Sequence, residues 1–328
     1  MRQGDPLSPS LFIIASEVLS RGLNHLIYSK QVHSFSMPRN CPPISHLAFA
    51  DDVIIFTNGS KNSLCKLMAF LSQYENESGH KINKQKSCFL LGDKAPTSRA
   101  SIVAECTGFV QKSFPINYLG CNLYVGRKKF QFFEDMVFKV EKKLAGWKGR
   151  LLSPGGRLIL IKHVLQVLSI HVLAAQNPHK SVFRKINSLV ANFFWGQGED
   201  GFKYHWVRWG QCTLPIQEGG LGIRRIEDIS DAFAIKAWWL LKSANSLWAS
   251  YMRCKYAKQI FSSAQMCYGS AAWKRMNKVM LLADVHIAWI IGEGNVNFWY
   301  DKWFGDIRIA DIILPLQIFV LFQLSRSY

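Results

Sequence analysis

The chain has 328 residues, enough for about two domains with sizeable cores. Hydrophobic residues make up 49 % of it, which excludes a disordered chain. Lysine and arginine number 40 against 22 acids, and the formal net charge of +18 points to a polyanionic partner, most often nucleic acid and sometimes an anionic membrane.

Gly4-Asp5-Pro6 predicts an opening turn. Ser8 then reads as a helix N-cap, with Pro9 at the first helical position. Leu11, Ala15, Val18, Leu19, Leu23 and Leu26 follow at near-helical spacing. "HLAFADDVIIFTNG", from His46, predicts two short strands joined by a tight turn. Leu47 and Phe49 lead in, Asp51 and Asp52 sit at the bend, and Val53 to Phe56 lead out to Asn58-Gly59. Leu64, Leu67, Met68, Leu71 and Tyr74 form a helical stripe that Gly79 is placed to stop. "SCFLL" (87–91) and "YLGCNL" (118–123) predict further strands. The first 125 residues therefore read as α+β, with helices packed on an antiparallel sheet.

The rest reads as mostly helical. Phe130, Phe133, Val137, Val140 and Leu144 repeat at helical spacing. Ser153-Pro154 opens a second helix through "RLILIKHVLQVL", and Pro178 precedes a third with Val182, Ile186, Leu189, Val190 and Phe193 as its stripe. Between Gly126 and Arg150 eight basic residues, Lys128 among them, oppose three acids. The helix there carries Lys139, Lys142 and Lys143 on an outer face that suits a phosphate backbone; a solvated lysine face is the alternative. All 11 tryptophans lie at or beyond Trp147, which marks a boundary near residues 120–150. Eight scattered cysteines without a CxxC pair give no zinc signal and read as reduced core thiols. No apolar stretch reaches the roughly 18 to 20 residues of a membrane span, and "MRQGDPLSPS" is neither a secretory leader nor a transit peptide. The apolar stretch 310–328 reads as a piece of a larger unit or a tail of altered sequence.

Asp51 and Asp52 raise the chemical question. A surface turn accounts for a lone Asp-Asp, but a bend between apolar strands can present carboxylates to a hard cation. Mg²⁺ prefers one or two carboxylates plus substrate phosphates. Two such ions about 3.5 to 4 Å apart can clamp the attacking and leaving oxygens of phosphoryl transfer. An acidic hairpin in a basic chain thus suggests nucleotidyl transfer.

A series of motifs then resembles one family. "RQGDPLSPSLF" (2–12) is similar to the QGDPLSP signature of reverse transcriptases of plant LINE-type, non-LTR retrotransposons. "FADD" (49–52) resembles that family's metal-binding motif. "SGHKINKQKS" (78–87) resembles its GLKIN-x-x-KS motif, with His80 where leucine is usual. "YLGCNL" resembles the primer-grip strand, and "LLSPGGRLILIKHVL", "VANFFWG", "HWVRWGQCTLP", "EGGLGIRRI" and "FWYDKW" match the downstream pattern.

The resemblance implies a partial polymerase palm over residues 1–125, a helical thumb over 126–210, and a Trp-rich C-terminal connection over 211–328 that leads toward a zinc-binding region. It implies Asp51 and Asp52 as catalytic Mg²⁺ ligands, with Gln3, Gly4 and Phe49 near the incoming nucleotide and template. Lys86 would neutralise or protonate pyrophosphate, a simple surface cation being the alternative. Tyr118, Leu119 and Gly120 would support the primer end. RNA template and DNA primer are the implied partners. The family carries another metal-binding aspartate before the QGDP segment, and neither Asp5 nor Glu17 matches it. The chain is therefore expected to be a truncated copy, inactive alone. The alternatives are a non-catalytic basic RNA- or DNA-binding remnant and a remnant with no function.

Overall fold

The first helix takes its start from Asp5. The Asp5 side-chain Oδ1 accepts from the Leu7 amide (2.9 Å) and its carbonyl from the Ser8 amide (3.1 Å). In this computed structural model α1 accordingly runs Ser8–Tyr28. Ser8 lies inside the helix, and Leu7 caps it without a side-chain hydrogen bond, because the Asp5 turn already satisfies the first amides. The structure describes residues 4–313 apart from 36, 39, 93–94, 147–151, 166, 168–169, 199–200, 203, 261–267, 288–295 and 304–306. The chain divides into two compact units: residues 1–118 with 122–125, and residues 119–121 with 126–328.

In the first unit α1 packs on α2 (Lys61–Ser78). Leu23, Leu26, Val32, Leu67 and Leu71 form the core, with Leu19, Ile55 and Met68 against it. Gly22 is needed there, since a Cβ on it would collide with the Phe70 ring. The C-terminal end of α2 falls at Gly79, as the sequence predicts, and its start is capped by Ser60. Ser60 Oγ accepts from the Ser63 amide, and Gly79 closes the helix at φ 72. The α1 stripe is only half used, however: Leu11 and Val18 stay exposed.

Strands β1 (His46–Phe49) and β2 (Asp52–Ile55) form an antiparallel hairpin, in register from His46 opposite Ile55 to Phe49 opposite Asp52. The predicted strand at 87–91 shrinks to β3 (Cys88–Phe89). It pairs in parallel with β4 (Val110–Gln111) because α3 (Thr97–Thr107) is a crossover between them. The predicted strand at 118–123 is instead a hairpin, the end of β5 (Ile116–Tyr118), a Leu119-Gly120 turn, and β6 (Cys121–Leu123). The class is α+β, but the described strands form separate two-stranded ladders rather than one antiparallel sheet.

The second unit is mainly helical. A 3-10 turn (Phe130–Phe133) leads into α4 (Glu134–Leu144), which buries Met136, Val137 and Val140. Ser153 caps α5 (Pro154–Leu160) by accepting from the Gly156 amide, and a π-helical turn follows at Ile161–Leu165. After α6 (Ile170–Ala175), α7 (Lys180–Trp195) buries Val182, Phe183, Ile186 and Val190. A short hairpin, β7 (Gln197–Gly198) with β8 (Gly201–Phe202), precedes α8 (Trp209–Cys212). Helices α9 (Ile226–Ser243), α10 (Leu247–Ile260) and α11 (Ala271–Val285) enclose a tryptophan-centred core. In it Trp238, Met252, Tyr256, Trp273 and Met280 are buried, and the Tyr256 and Trp273 rings stack at 4.3 Å. The last described helix is α12 (Ile309–Ile313).

Candidate active site

The β1–β2 hairpin has a two-residue loop, Ala50-Asp51, closed by the Phe49–Asp52 pair. Ala50 takes φ 49, the left-handed conformation that tight hairpin turns require at the first central position. Asp51 is therefore at the tip, and Asp52 is the first residue of β2. Both carboxylates are exposed, and so is the Phe49 ring beside them at 63 %. The charges are not buried against the apolar run. They stand clear of it, which removes the desolvation cost and leaves their lone pairs open.

A polar network holds β1 to α1. Ser45 is buried, and its Oγ donates to Asn24 Oδ1 at 2.6 Å. Having given its proton there, Ser45 Oγ accepts from His46 Nδ1 (2.7 Å), so His46 Nε2 accepts from Ser20 Oγ (3.0 Å). The network is complete with a neutral imidazole, and burial holds His46 below its ordinary pKa. None of these four residues stood out in the sequence.

The second hairpin adds a tyrosine. Burial, and then the charge of Asp52, push the Tyr118 phenol up, so Tyr118 lies within electrostatic reach of that carboxylate. Leu119 and Gly120 both turn at positive φ, 49 and 75. For a bulky leucine this is unusual. His171 Nε2 donates to the Leu119 carbonyl at 2.6 Å, a contact 52 residues apart that sequence spacing could not show.

A family model described as reverse transcriptase (RNA-dependent DNA polymerase) matches residues 1–123. The Pol polyprotein of the type-2 retrotransposable element R2DM of Drosophila melanogaster is 29 % identical over 245 residues, 68 % of this chain and 20 % of its own length. A 149 kDa protein of transposon TX1 from Xenopus laevis is 27 % identical over 233 residues, 68 % of this chain and 16 % of its own. Residues 1–123 thus match the reverse transcriptase family, and two of the relatives carry the names of transposable elements. A protein of Arabidopsis thaliana that bears the name of a ribonuclease H protein is also 30 % identical over 178 residues, 52 % of this chain and 29 % of its own length. The chain spans less than a third of the length of each of these three relatives.

The reverse transcriptase match covers nearly the same residues as the first structural unit. Within it the GLKIN-like segment folds back on α2. The Ile82 amide donates to Glu75 Oε1 at 2.6 Å. His80 engages the Tyr74 hydroxyl at 3.0 Å, and its ring lies tilted 5.6 Å from that of Phe12. Lys86 is exposed at the end of a turn built on Asn83, whose Oδ1 accepts from the Lys86 amide at 3.1 Å. No ion pair links Lys86 to Asp51 or Asp52 among the described residues. Gly4 is exposed at φ 88 with open space around it, and Gln3 lies outside the described residues.

On α4, Lys139, Lys142 and Lys143 are exposed on one face, as the i, i+3, i+4 spacing requires. Lys139 is partly neutralised by Asp135 at 2.7 Å. Lys128 departs from the sequence count. Its ammonium donates to the carbonyls of Asn177 (3.4 Å) and Pro178 (3.2 Å), so it ties its segment to the chain before α7.

Proposed function

We propose that this chain is part of an RNA-directed DNA polymerase, with Asp51 and Asp52 as one edge of its catalytic metal site. The observation that carries the reading is the exposed pair of carboxylates at a two-residue hairpin tip, within electrostatic reach of Tyr118. Two adjacent carboxylates fit the preference of Mg²⁺ for one or two carboxylates completed by substrate phosphates. When bound, the ion would neutralise charge on the transferring phosphate. The fit is partial. No group of three or more histidine, cysteine, aspartate or glutamate side chains that could hold a metal occurs among the described residues.

In this reading residues 1–125 serve as the palm, 126–210 as the thumb and 211–328 as the connection that follows. Gln3, Gly4 and Phe49 border the nucleotide and template, and Lys86 meets the departing pyrophosphate. Tyr118, Leu119 and Gly120 support the primer end, and Lys139, Lys142 and Lys143 hold the nucleic-acid backbone. The partners are an RNA template and a DNA primer. In this reading a third carboxylate comes from outside the described residues, such as an adjoining segment of a longer polypeptide or a second chain. RNA-templated primer extension tests this. A longer polypeptide that sets a third carboxylate beside Asp51 makes product, and Asp51→Ala abolishes it. Undiminished synthesis by that variant would sink the reading.

That no third such ligand joins Asp51 and Asp52 among the described residues favours a second reading, a basic chain that binds RNA or DNA without catalysis. It predicts salt-sensitive binding, with no synthesis in the longer polypeptide either.

A further inference from the structure

Tyr204 and Trp206 are 74 % and 78 % exposed, the latter an unusual position for an indole. Their ring centroids lie 5.3 Å apart with planes at 77°, an edge contact that leaves the outer π-faces free. The segment is anchored from behind. His205 stacks on Trp195 at 6.0 Å, and Trp209 meets Phe194 at 6.2 Å, both partners at the C-terminal end of α7. The two exposed rings thus stand on a segment whose neighbouring rings, His205 and Trp209, contact the end of α7.

We infer that Tyr204 and Trp206 form a stacking platform for the bases of a single-stranded nucleic acid. Two features select this occupant over an apolar protein surface. The rings sit in a chain of net charge +18, and Arg208 follows them two residues after Trp206. Between residues 201 and 225 four basic residues face one acid, Glu218. A ligand that meets both flat π-faces and flanking cations is one with unpaired bases on a phosphate backbone. Duplex nucleic acid would satisfy the cations and leave the rings unused, because its base faces are already stacked. The inference rests on the reading that the chain handles nucleic acid, and it adds the place where an unpaired strand is held.

Fluorescence anisotropy on the full chain tests it, with a labelled 20-nucleotide oligo(dT) and a DNA hairpin duplex of equal phosphate number. Trp206→Ala weakens oligo(dT) binding on the order of 10-fold. It leaves hairpin binding and the salt slope unchanged, since no charge is removed. Trp206→Phe, which keeps a π-face, retains most of the affinity. Because the side chain is exposed, circular dichroism of both variants matches the wild type. Equal weakening on both probes, or none on oligo(dT), overturns the platform alone. A wild-type chain that binds neither probe overturns the platform together with the reading beneath it. Failure of primer extension touches only the polymerase reading.

Discussion

Ala50 sits in a conformation that glycine adopts freely. Its φ of 49 puts Cβ against the backbone, at a cost of roughly 1–2 kcal/mol for an L-residue. The side chain is exposed, so little packing is at stake. Glycine in turn adds unfolded-state entropy worth about 0.4–1 kcal/mol. The balance favours glycine, and Ala50→Gly is expected to slow hydrogen exchange across residues 46–55 by a few-fold. Ala50→Val, which is β-branched, should speed it. Faster exchange in the glycine variant would show that the turn is not strained. His46 supplies a pH signature at the same hairpin. Its pKa is lowered by burial, and Ser20, Ser45 and Asn24 around it are all neutral. As pH falls, the unfolded chain takes the proton first, near 6.5. The contribution is therefore complete above pH 6.5 and is lost as pH drops through the lower folded value. Thermal melts from pH 7.5 to 5 should fall in the wild type and be flatter in His46→Gln. Equal slopes would assign the acid sensitivity to other groups.

At the scale of elements, what was legible depended on whether its cause was local. The C-terminal end of α2 could be read because Gly79 acts within one turn of itself. The start of α5 could be read from Ser153 for the same reason. The parallel β3–β4 pair could not, because two short runs do not say which edge a crossover returns to. The role of Lys128 was equally hidden, since its carbonyl partners lie 49 and 50 residues away. Packing among α9, α10 and α11 offers a test of one such distant contact. Trp238 Nε1 donates to Asp284 Oδ1 at 2.7 Å in the buried core. A hydrogen bond to a charged group contributes about 1.5–3 kcal/mol, so Trp238→Phe should destabilise this helical unit by that order. A melting temperature unchanged from wild type would mean that Lys242, 3.0 Å from Asp284, already satisfies the carboxylate. On α4, each lysine that meets a phosphate contributes a slope of about 0.9 to log K against log salt. Reversing Lys142 and Lys143 to glutamate should flatten the slope more than reversing Lys139, whose charge Asp135 already offsets. No change with all three reversed would place the interface elsewhere.

For the whole molecule, motif order anticipated the reverse transcriptase match over residues 1–123, while the completeness of the candidate site depends on which carboxylates meet in space. The sequence shows Asp51 and Asp52 as neighbours and offers Asp5 and Glu17 as other early acids. In the structure Asp5 closes the turn before α1, and Glu17 pairs with Arg21 at 2.8 Å on the same helix. Neither joins a metal-holding group among the described residues. Metal-assisted phosphoryl transfer relies on positioning and on neutralising the charge that develops on phosphate. A cation held from one edge by exposed carboxylates binds weakly and is poorly centred. A misplacement of about 1 Å costs on the order of 100-fold in rate. The isolated 328-residue chain should therefore extend no primer on an RNA template with Mg²⁺, and Asp51→Ala should change nothing measurable. Mg²⁺ at millimolar concentration should also leave its melting temperature unmoved, because stabilisation requires a dissociation constant below the free concentration. RNA-templated synthesis by the isolated chain that disappears in Asp51→Ala would overturn this. It would mean that a second copy, or a residue outside those described, brings the third carboxylate to the hairpin.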